Sequence, residues 1–183
     1  MAARSADSGA NRVAIIAAAR EQFGQHGFDR TTIRSVATAA GVDPALVMHY
    51  FGTKKGLFEA ASRYTVAMPD LTGVTPATVA TVLVPLFARM WGPDGPLLPL
   101  LRAAASNQAA AGALVDIFTQ HVAPQLGVLA RDRPQERAAL IGAHLVGIAV
   151  ARHIIGIPPL VQMSDEALTA WLGPVFEHYL TAD

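Results

Sequence analysis

Two short helices and the start of a third are encoded between Thr31 and Leu57, in the sequence TTIRSVATAAGVDPALVMHYFGTKKGL. The hydroxyl of Thr31 or Thr32 can cap the first helix, because it can accept from the unpaired backbone N–H groups there. Apolar side chains then recur at helical spacing. Gly41 follows where a left-handed residue would end the helix, since glycine adopts a positive φ without steric cost.

The second helix begins at Asp43 and Pro44, because a carboxylate caps a helix and proline suits the first helical position. Gly52 ends it, and Thr53 can cap a further helix that starts at Lys54. Two helices with a glycine turn of this length predict a helix-turn-helix. The second helix of that motif enters the major groove of DNA.

A specific family pattern runs through this stretch, with caps, core positions and a basic residue at fixed offsets. Its positions are Thr32, Ala37, Ala40-Gly41-Val42, Val47, His49-Tyr50-Phe51-Gly52, Lys54 and Leu57. The stretch thereby resembles the TetR family of transcriptional regulators. That family often has Tyr where this chain has Met48, and Ser where it has Asp43. The resemblance implies a DNA-binding head, an effector-binding body and a homodimer.

Composition excludes several classes of protein. Of 183 residues, 52% are hydrophobic and 15% charged, which argues against disorder. The absence of cysteine excludes a disulfide framework and thiolate metal ligands, and it fits a cytoplasmic location. The first twelve residues lack the apolar core of a signal peptide. An uncharged run at 71–88 contains two prolines and four threonines, so we expect a buried helix and no membrane partner.

Charge is unevenly distributed along a chain whose formal net charge is zero. Residues 1–64 carry eight Lys or Arg against five acids, a balance of +3. Residues 65–183 carry six Arg against nine acids, a balance of −3. A basic N-terminal part concentrates the attraction for phosphate at one end, although this asymmetry alone supports nucleic-acid binding only weakly.

The predicted DNA contacts lie on the helix-turn-helix and the start of the next helix. Small apolar side chains can pack on a thymine methyl group, and His or Arg can donate to a base or a phosphate. Hydroxyl, phenol and ammonium groups beside helix N-termini suit the phosphate backbone. The expected DNA-binding residues are Thr32, Arg34, Asp43, Pro44, Ala45, Leu46, Met48, His49, Tyr50, Thr53 and Lys54. Taken singly, each is more simply a cap or a surface side chain.

Helical periodicity without alternating strand patterns predicts an all-α protein of about nine helices. Residues 1–52 would form the helix-turn-helix DNA-binding domain and residues 53–183 a helical effector-binding and dimerisation domain. The first helix would turn Val13, Ile16, Ala17 and Phe23 inward. The helix from Lys54 would continue to about residue 68.

An apolar effector pocket is expected in the body, as the family resemblance implies. Aromatic, Met and Leu side chains would line it, with polar anchors among them. The expected ligand-binding residues are Phe87, Met90, Trp91, Leu98, Leu101, Asn107, Phe118, His121 and His144. Taken singly, each of these residues is more often an ordinary core side chain than a ligand contact.

A homodimer is expected from two apolar helices near the C-terminus, interspersed with small residues that permit close approach. The expected interface residues are Leu145, Ile148, Leu168, Leu172, Val175, Phe176 and Tyr179. The full hypothesis is a repressor that an apolar effector releases from a palindromic operator.

Two other classes of function stay open at this point. One is a helical ligand carrier or protein-interaction module without DNA binding. The other is an enzyme, but the sequence has no nucleophile elbow, phosphate loop or paired-histidine metal motif. We therefore assign no catalytic residue, no metal site and no cofactor. Salt-dependent DNA affinity separates the first hypothesis from both alternatives.

Overall fold

The computed structural model describes residues 2–62 and 69–183, and the side chains from residue 9 onward. Every regular element in these ranges is helical, which confirms the all-α expectation. The ten helices are α1 Ala2–Arg30, α2 Ile33–Ala40, α3 Pro44–Phe51, α4 Lys54–Ala61, α5 Val79–Trp91, α6 Leu98–Ala104, α7 (Gln108–Ile117, a π-helical turn Phe118–Val122, and Ala123–Gly127), α8 Pro134–Ile155, α9 Pro158–Gln162 and α10 Asp165–Thr181. The expected extension of α4 to residue 68 falls outside the described residues.

The chain divides into two compact units. The first consists of Met1–Tyr64 and Pro99–Leu114, and the second of Thr65–Leu98 and Val115–Asp183. The first unit thus extends beyond the expected domain boundary at Gly52, because α4 packs against α1. The functional division of the chain into two domains remains a prediction.

Three phenylalanine rings hold the first unit together. Phe23 of α1 meets Phe58 of α4 edge to face, with ring centroids 4.9 Å apart. Phe28 packs on both rings, at 5.8 Å from Phe23 and 5.3 Å from Phe58. Edge-to-face and offset geometries are the favourable ones for aromatic pairs. Arg20 also links α1 to α4, since its Nε donates to the Ala61 carbonyl at 2.8 Å.

The expected inner face of α1 was wrong over its first half, where the buried residues lie two positions later in the chain than expected. Val13 is 69% exposed, whereas Ile15 and Ala19 are fully buried. Only Phe23 among the expected inner residues is in the core. The cause is the alanine-rich sequence of α1, in which several faces have similar hydrophobicity, so that packing partners select the buried one.

The core of the second unit forms where α10 packs against α5 and α8. An added Cβ on Gly173 would touch the Ala80 Cβ at 4.0 Å, so these two helices approach closely at small residues. The buried apolar side chains are Val79, Ala80, Leu83, Val84 and Phe87 of α5, Ala138, Ile141, Leu145 and Ala149 of α8, and Leu168, Leu172, Phe176 and Leu180 of α10.

This packing corrects the expected dimer interface. Leu145, Leu168, Leu172 and Phe176 are at most 8% exposed within the single chain, so they have no free surface to offer a partner. Ile148, Val175 and Tyr179 are half-buried. Both helices are apolar nearly all round, and the sequence pattern did not show which side the protomer's own core would take.

A different apolar face of α8 and α10 is exposed. Helix α8 is 22 residues long and apolar enough to cross a membrane by length and composition, yet only 17% of its most apolar window is buried. Leu140 and Ile154 lie on its exposed side, together with the small residues Ala143 and Gly147. Trp171 of α10 is 73% exposed.

A buried arginine fastens the start of α8 to the end of α10. Arg137 is 5% exposed, and its Nε donates to the Asp132 carboxylate at 2.7 Å. Its two terminal nitrogens donate to the carbonyls of Tyr179 at 2.7 Å and Ala182 at 2.5 Å. The Tyr179 carbonyl belongs to the last turn of α10 and Ala182 follows that helix directly, so neither carbonyl has a helical partner. The hydrogen bond from Arg137 lowers the pKa of the Asp132 carboxyl group, which keeps the pair ionised.

We expect Arg137→Ala to lower the free energy of unfolding by about 3 kcal/mol, because it leaves carbonyls and a carboxylate without their donor. Urea denaturation of the full chain measures this loss. Arg131→Ala is the matched control. Arg131 pairs with Asp183 on the surface, so its removal should cost less than about 1 kcal/mol. Equal losses in both variants would contradict the anchoring role of Arg137.

Candidate nucleic-acid interface and ligand clefts

Helix α2 is closed at both ends by local hydrogen bonds. The Thr32 hydroxyl accepts from the Ser35 backbone N–H at 3.0 Å, and the Ser35 hydroxyl accepts from the Thr32 N–H at 3.1 Å. This reciprocal capping box satisfies two unpaired donors at once. Gly41 ends the helix with φ +67°, and Val42 donates back to the Ala37 carbonyl at 2.9 Å. The sequence predicted the turn at Gly41 and a cap at Thr31 or Thr32, and the structure shows that Thr32 is the cap and that Ser35 completes it.

Helix α3 presents one face to solvent. Asp43 Oδ1 accepts from the Ala45 N–H at 2.7 Å and Pro44 occupies the first turn, as the sequence predicted. Val47 is fully buried and anchors the opposite face. Four of the expected DNA-binding residues on this helix are exposed, and Leu46 and Tyr50 are half-buried. The exposed ones are Pro44, Ala45, Met48 and His49.

The start of α4 lies after the glycine that ends α3. Gly52 has φ +69°, and the Thr53 hydroxyl accepts from the Gly56 N–H at 2.9 Å. Lys54 is held in a way that the sequence did not indicate. Its Nζ donates to the Asp29 carbonyl at 3.1 Å and lies 4.5 Å from the centroid of the Phe28 ring. An ammonium group has three donors, so this arrangement fixes Lys54 and leaves donors for a further acceptor.

Other basic side chains also lie on these helices or contact them. Arg34 is exposed in the first turn of α2. Lys55 forms an exposed pair with Glu59, with the charged atoms 3.9 Å apart. The guanidinium of Arg12 lies 5.6 Å from the Phe51 ring centroid, a contact that sequence reasoning missed. The sequence signal for this contact would have been a basic residue on α1 together with an aromatic residue at the end of α3.

The expected ligand-binding residues divide between the two units. Leu101 and Asn107 belong to the first unit and the others to the second. Asn107 Oδ1 caps α7 by accepting from the N–H groups of Ala109 and Ala110, at 2.9 and 3.0 Å. Its carbonyl oxygen therefore has a structural role.

Within the second unit, aromatic contacts account for several of these residues. Phe87 and Trp91 lie one helical turn apart on α5, with ring centroids 6.0 Å apart. Phe118 faces Gly142, where an added Cβ would come within 2.9 Å of the ring. Leu98 is buried, and Met90 and His121 are half-buried.

His144 has partners within α10. Its Nδ1 lies 3.4 Å from the Tyr179 hydroxyl, and its ring meets Phe176 edge to face at 6.1 Å. These contacts with α10 give the half-buried His144 a structural role within the chain.

Two open clefts of similar volume occur in the described residues. One, of about 380 Å³ in the second unit, includes Thr119, Pro124 and Pro134, and none of the expected ligand residues lines it. The other, of about 420 Å³ in the first unit, includes Asn107. No group of three or more His, Asp or Glu side chains within the described ranges is arranged to hold a metal ion.

Two family models match the chain. Residues 15–61 match the model described as bacterial regulatory proteins, tetR family. Residues 77–180 match the tetracyclin repressor-like C-terminal domain, and this match alone covers more than half of the chain. The chain belongs to the TetR family.

Individual TetR relatives agree with this assignment. RaaS, an HTH-type transcriptional regulatory protein of Mycobacterium tuberculosis, is 51% identical over 61 residues, which are 33% of this chain and 28% of RaaS. CecR, an HTH-type transcriptional dual regulator of Shigella flexneri, is 29% identical over 160 residues, which are 87% of this chain and 63% of CecR. The match thus spans less than two thirds of either relative.

The TetR fold also recurs among solved structures. NalD of Pseudomonas aeruginosa, the secondary repressor of the MexAB-OprM multidrug efflux pump, superposes with a TM-score of 0.68 at 19% identity. The superposition covers 97% of this chain and 98% of NalD. At this identity the likeness shows a shared fold.

The cap at Asp43 gives a direct test of how α3 starts in this TetR protein. We expect Asp43→Ala to lower the free energy of unfolding by about 1 kcal/mol, because the Ala45 N–H loses its acceptor. Asp43→Asn should lose only a few tenths of a kcal/mol, since asparagine caps helices about as well as aspartate. Denaturation curves of both variants measure this difference. A loss in Asp43→Asn as large as in Asp43→Ala would assign the effect to the charge.

Proposed function

We propose that this TetR-family chain is a DNA-binding transcriptional regulator that inserts α3 into the major groove. One observation carries the proposal. The outer face of α3 is exposed, and the helices before and after it begin at Thr32 and Thr53, whose capping hydroxyls still have a hydrogen to donate. A helix flanked by phosphate-binding groups is the docking geometry of a helix-turn-helix.

Each face of the site has a proposed role. Thr32, Tyr50, Thr53 and Lys54 would hold the phosphate backbone, which sets the position of the protein without reading sequence. Arg34 and the exposed face of α3 would contact base edges. Ala45 and Leu46 suit a thymine methyl group, while His49 and Arg34 can donate to acceptors in the groove. Asp43, Pro44 and Met48 complete this proposed face, and the Asp43 carboxylate can accept from a cytosine amino group.

A homodimer is proposed from the exposed face of α8 and α10. Leu140, Ile154 and Trp171 are large apolar side chains of these two helices that a monomer would leave in water. Ala143 and Gly147 lie on the same side of α8 and allow a partner helix to approach closely. A two-fold dimer of this kind carries two heads, which would match a near-palindromic operator.

Regulation by a small effector is the finer part of the proposal. The body is largely apolar, so we infer an apolar effector that favours the non-binding state and relieves repression in the cytoplasm. The relative NalD is a repressor and CecR a dual regulator, and the repressor role assigned to this chain belongs to the proposal.

Selection of bound sequences from random duplex DNA tests the proposed function and supplies an operator. On that operator, Lys54→Ala should weaken binding and reduce the slope of log K against log[salt] by about 1, because one phosphate contact is lost. Lys55→Ala is the matched control. Lys55 is a neighbouring cation that pairs with Glu59, so its removal should leave the slope nearly unchanged.

Two outcomes would reject parts of this proposal. DNA binding would be rejected if no sequence were enriched and if the affinity for duplex DNA did not change with salt concentration. An enriched operator with equal salt slopes for wild type and Lys54→Ala would reject only the phosphate contact of Lys54.

The dimer proposal is tested at Gly147. An added Cβ there meets no atom within 4 Å in the chain itself, and leucine favours a helix over glycine by about 0.8 kcal/mol. Gly147→Leu should therefore leave the protomer folded while it blocks a partner helix, giving a monomer in light scattering.

Gly112→Leu is the matched control for the dimer test. Gly112 also has open space around it and lies on α7, outside the proposed interface, so this variant should remain a dimer. A Gly147→Leu variant that stays dimeric would place the interface on another face. Trp171→Glu supplies a second variant on the proposed face, at a side chain that the protomer leaves exposed.

A further inference from the structure

A cleft in the first compact unit has no role in the proposed contacts with DNA or with an apolar effector. We name it the α1–α6 cleft. It has a volume of about 420 Å³, within the usual range for small-molecule sites. One wall is the end of α1, with His26, Asp29 and Arg30, and the other is the end of α6 and the start of α7, with Arg102, Ser106 and Asn107.

The two walls are held in place by contacts at their base. Gly24 of α1 lies so close to Pro99 that an added Cβ would come within 2.3 Å of the proline Cβ, and only glycine fits there. Gly27, with φ +75°, turns the chain at the end of α1. The buried Thr31 then donates its hydroxyl hydrogen back toward the carbonyls of Gln22 and Gly27, at 2.9 and 2.8 Å.

The lining of the cleft favours an anion. The lining residues include two arginines and one histidine but a single acidic residue, Asp29. Arg102 is exposed and makes no hydrogen bond or ion pair within the described residues. Arg30 uses its Nε on the His26 carbonyl at 3.0 Å, which orients the rest of its guanidinium group. Because Asn107 uses its oxygen to cap α7, its amide hydrogens remain as donors.

We propose that the α1–α6 cleft binds a small organic anion through a carboxylate or phosphate group held by Arg102 and Arg30. Guanidinium groups bind both of these oxyanions through paired hydrogen bonds. The polar lining distinguishes this ligand class from the apolar effector proposed for the body.

The cleft also has a physical connection to Lys54. Asp29, one of the lining residues of the cleft, accepts a hydrogen bond from the Lys54 ammonium on its carbonyl oxygen at 3.1 Å, and the ring of Phe28 lies 4.5 Å from that ammonium. An anion that shifts the segment from His26 to Arg30 therefore moves the support of Lys54. This regulatory part of the inference rests on the proposed function, whereas anion binding itself does not.

The binding test is calorimetric titration of the full chain with succinate and, separately, with inorganic phosphate, at an ionic strength kept constant with sodium chloride. We expect saturable binding of at least one probe, and the comparison shows whether carboxylate or phosphate is preferred. Arg102→Ala should weaken that binding about tenfold or more, and Arg102→Lys should restore only part of it, because lysine keeps the charge but loses the planar fork.

Arg89→Ala is the matched control for this test. Arg89 is an exposed arginine in the last turn of α5, in the other compact unit, so its removal should leave binding of the probe unchanged. Because Arg102 is exposed, Arg102→Ala should melt at the wild-type temperature. No saturable binding of either probe, or wild-type affinity in Arg102→Ala, would overturn the inference.

A measurement of affinity for operator DNA separates the test of this inference from the test of the proposed function. With operator DNA, a saturating amount of the bound probe should change the affinity of wild type and not that of Arg102→Ala. If Arg102→Ala weakens DNA binding while no small anion binds, the cleft contacts the DNA backbone and the inference is overturned. If anions bind and no operator can be selected, the proposed function fails and the anion site stands.

Discussion

The first unit depends on how three very short helices satisfy their backbone. Helices α2, α3 and α4 have eight residues each, so a large share of the N–H groups in each have no partner within the helix. Thr32, Asp43 and Thr53 each supply a side-chain acceptor at one of these N-termini. Isolated helices of this length are marginal in water. Caps and the buried contacts beneath them therefore determine whether the helix-turn-helix exists.

The same local chemistry prepares the proposed DNA surface. A capping threonine accepts from the backbone and keeps its own hydrogen, so the groups that close α2 and α4 can also donate to phosphate. Lys54 adds a positive charge that is held by the Asp29 carbonyl and the Phe28 ring. This contact joins the end of α1 to the start of α4. It places the proposed phosphate contact under the influence of the segment that also lines the α1–α6 cleft.

The second unit differs from the first in that apolar burial, and not capping, organises it. Its long helices have more apolar surface than the protomer buries. One side of α8 and α10 forms the protomer core, and the opposite side remains exposed at Leu140, Ile154 and Trp171. Arg137 fixes the relation between the two helices by binding the last carbonyls of α10. A partner protomer with the same exposed face would cover these side chains in the proposed dimer.

The sequence by itself determined the features that arise between near neighbours in the chain. These are the caps at Asp43 and Thr53, a cap at Thr31 or Thr32, the turn at Gly41 and the all-α class, because a cap joins a side chain to a backbone group only two or three residues away. Tertiary structure decided which face of α1, α8 and α10 is buried. Helices that are rich in alanine, or that carry apolar residues on nearly every side, have no clear polar side to fix their rotation, so packing partners fix it. The tertiary structure also decided the contacts of Lys54 with Asp29 and of Arg137 with Ala182, which join residues 25 and 45 positions apart. No local pattern encodes such pairs, since their geometry exists only after the helices have packed.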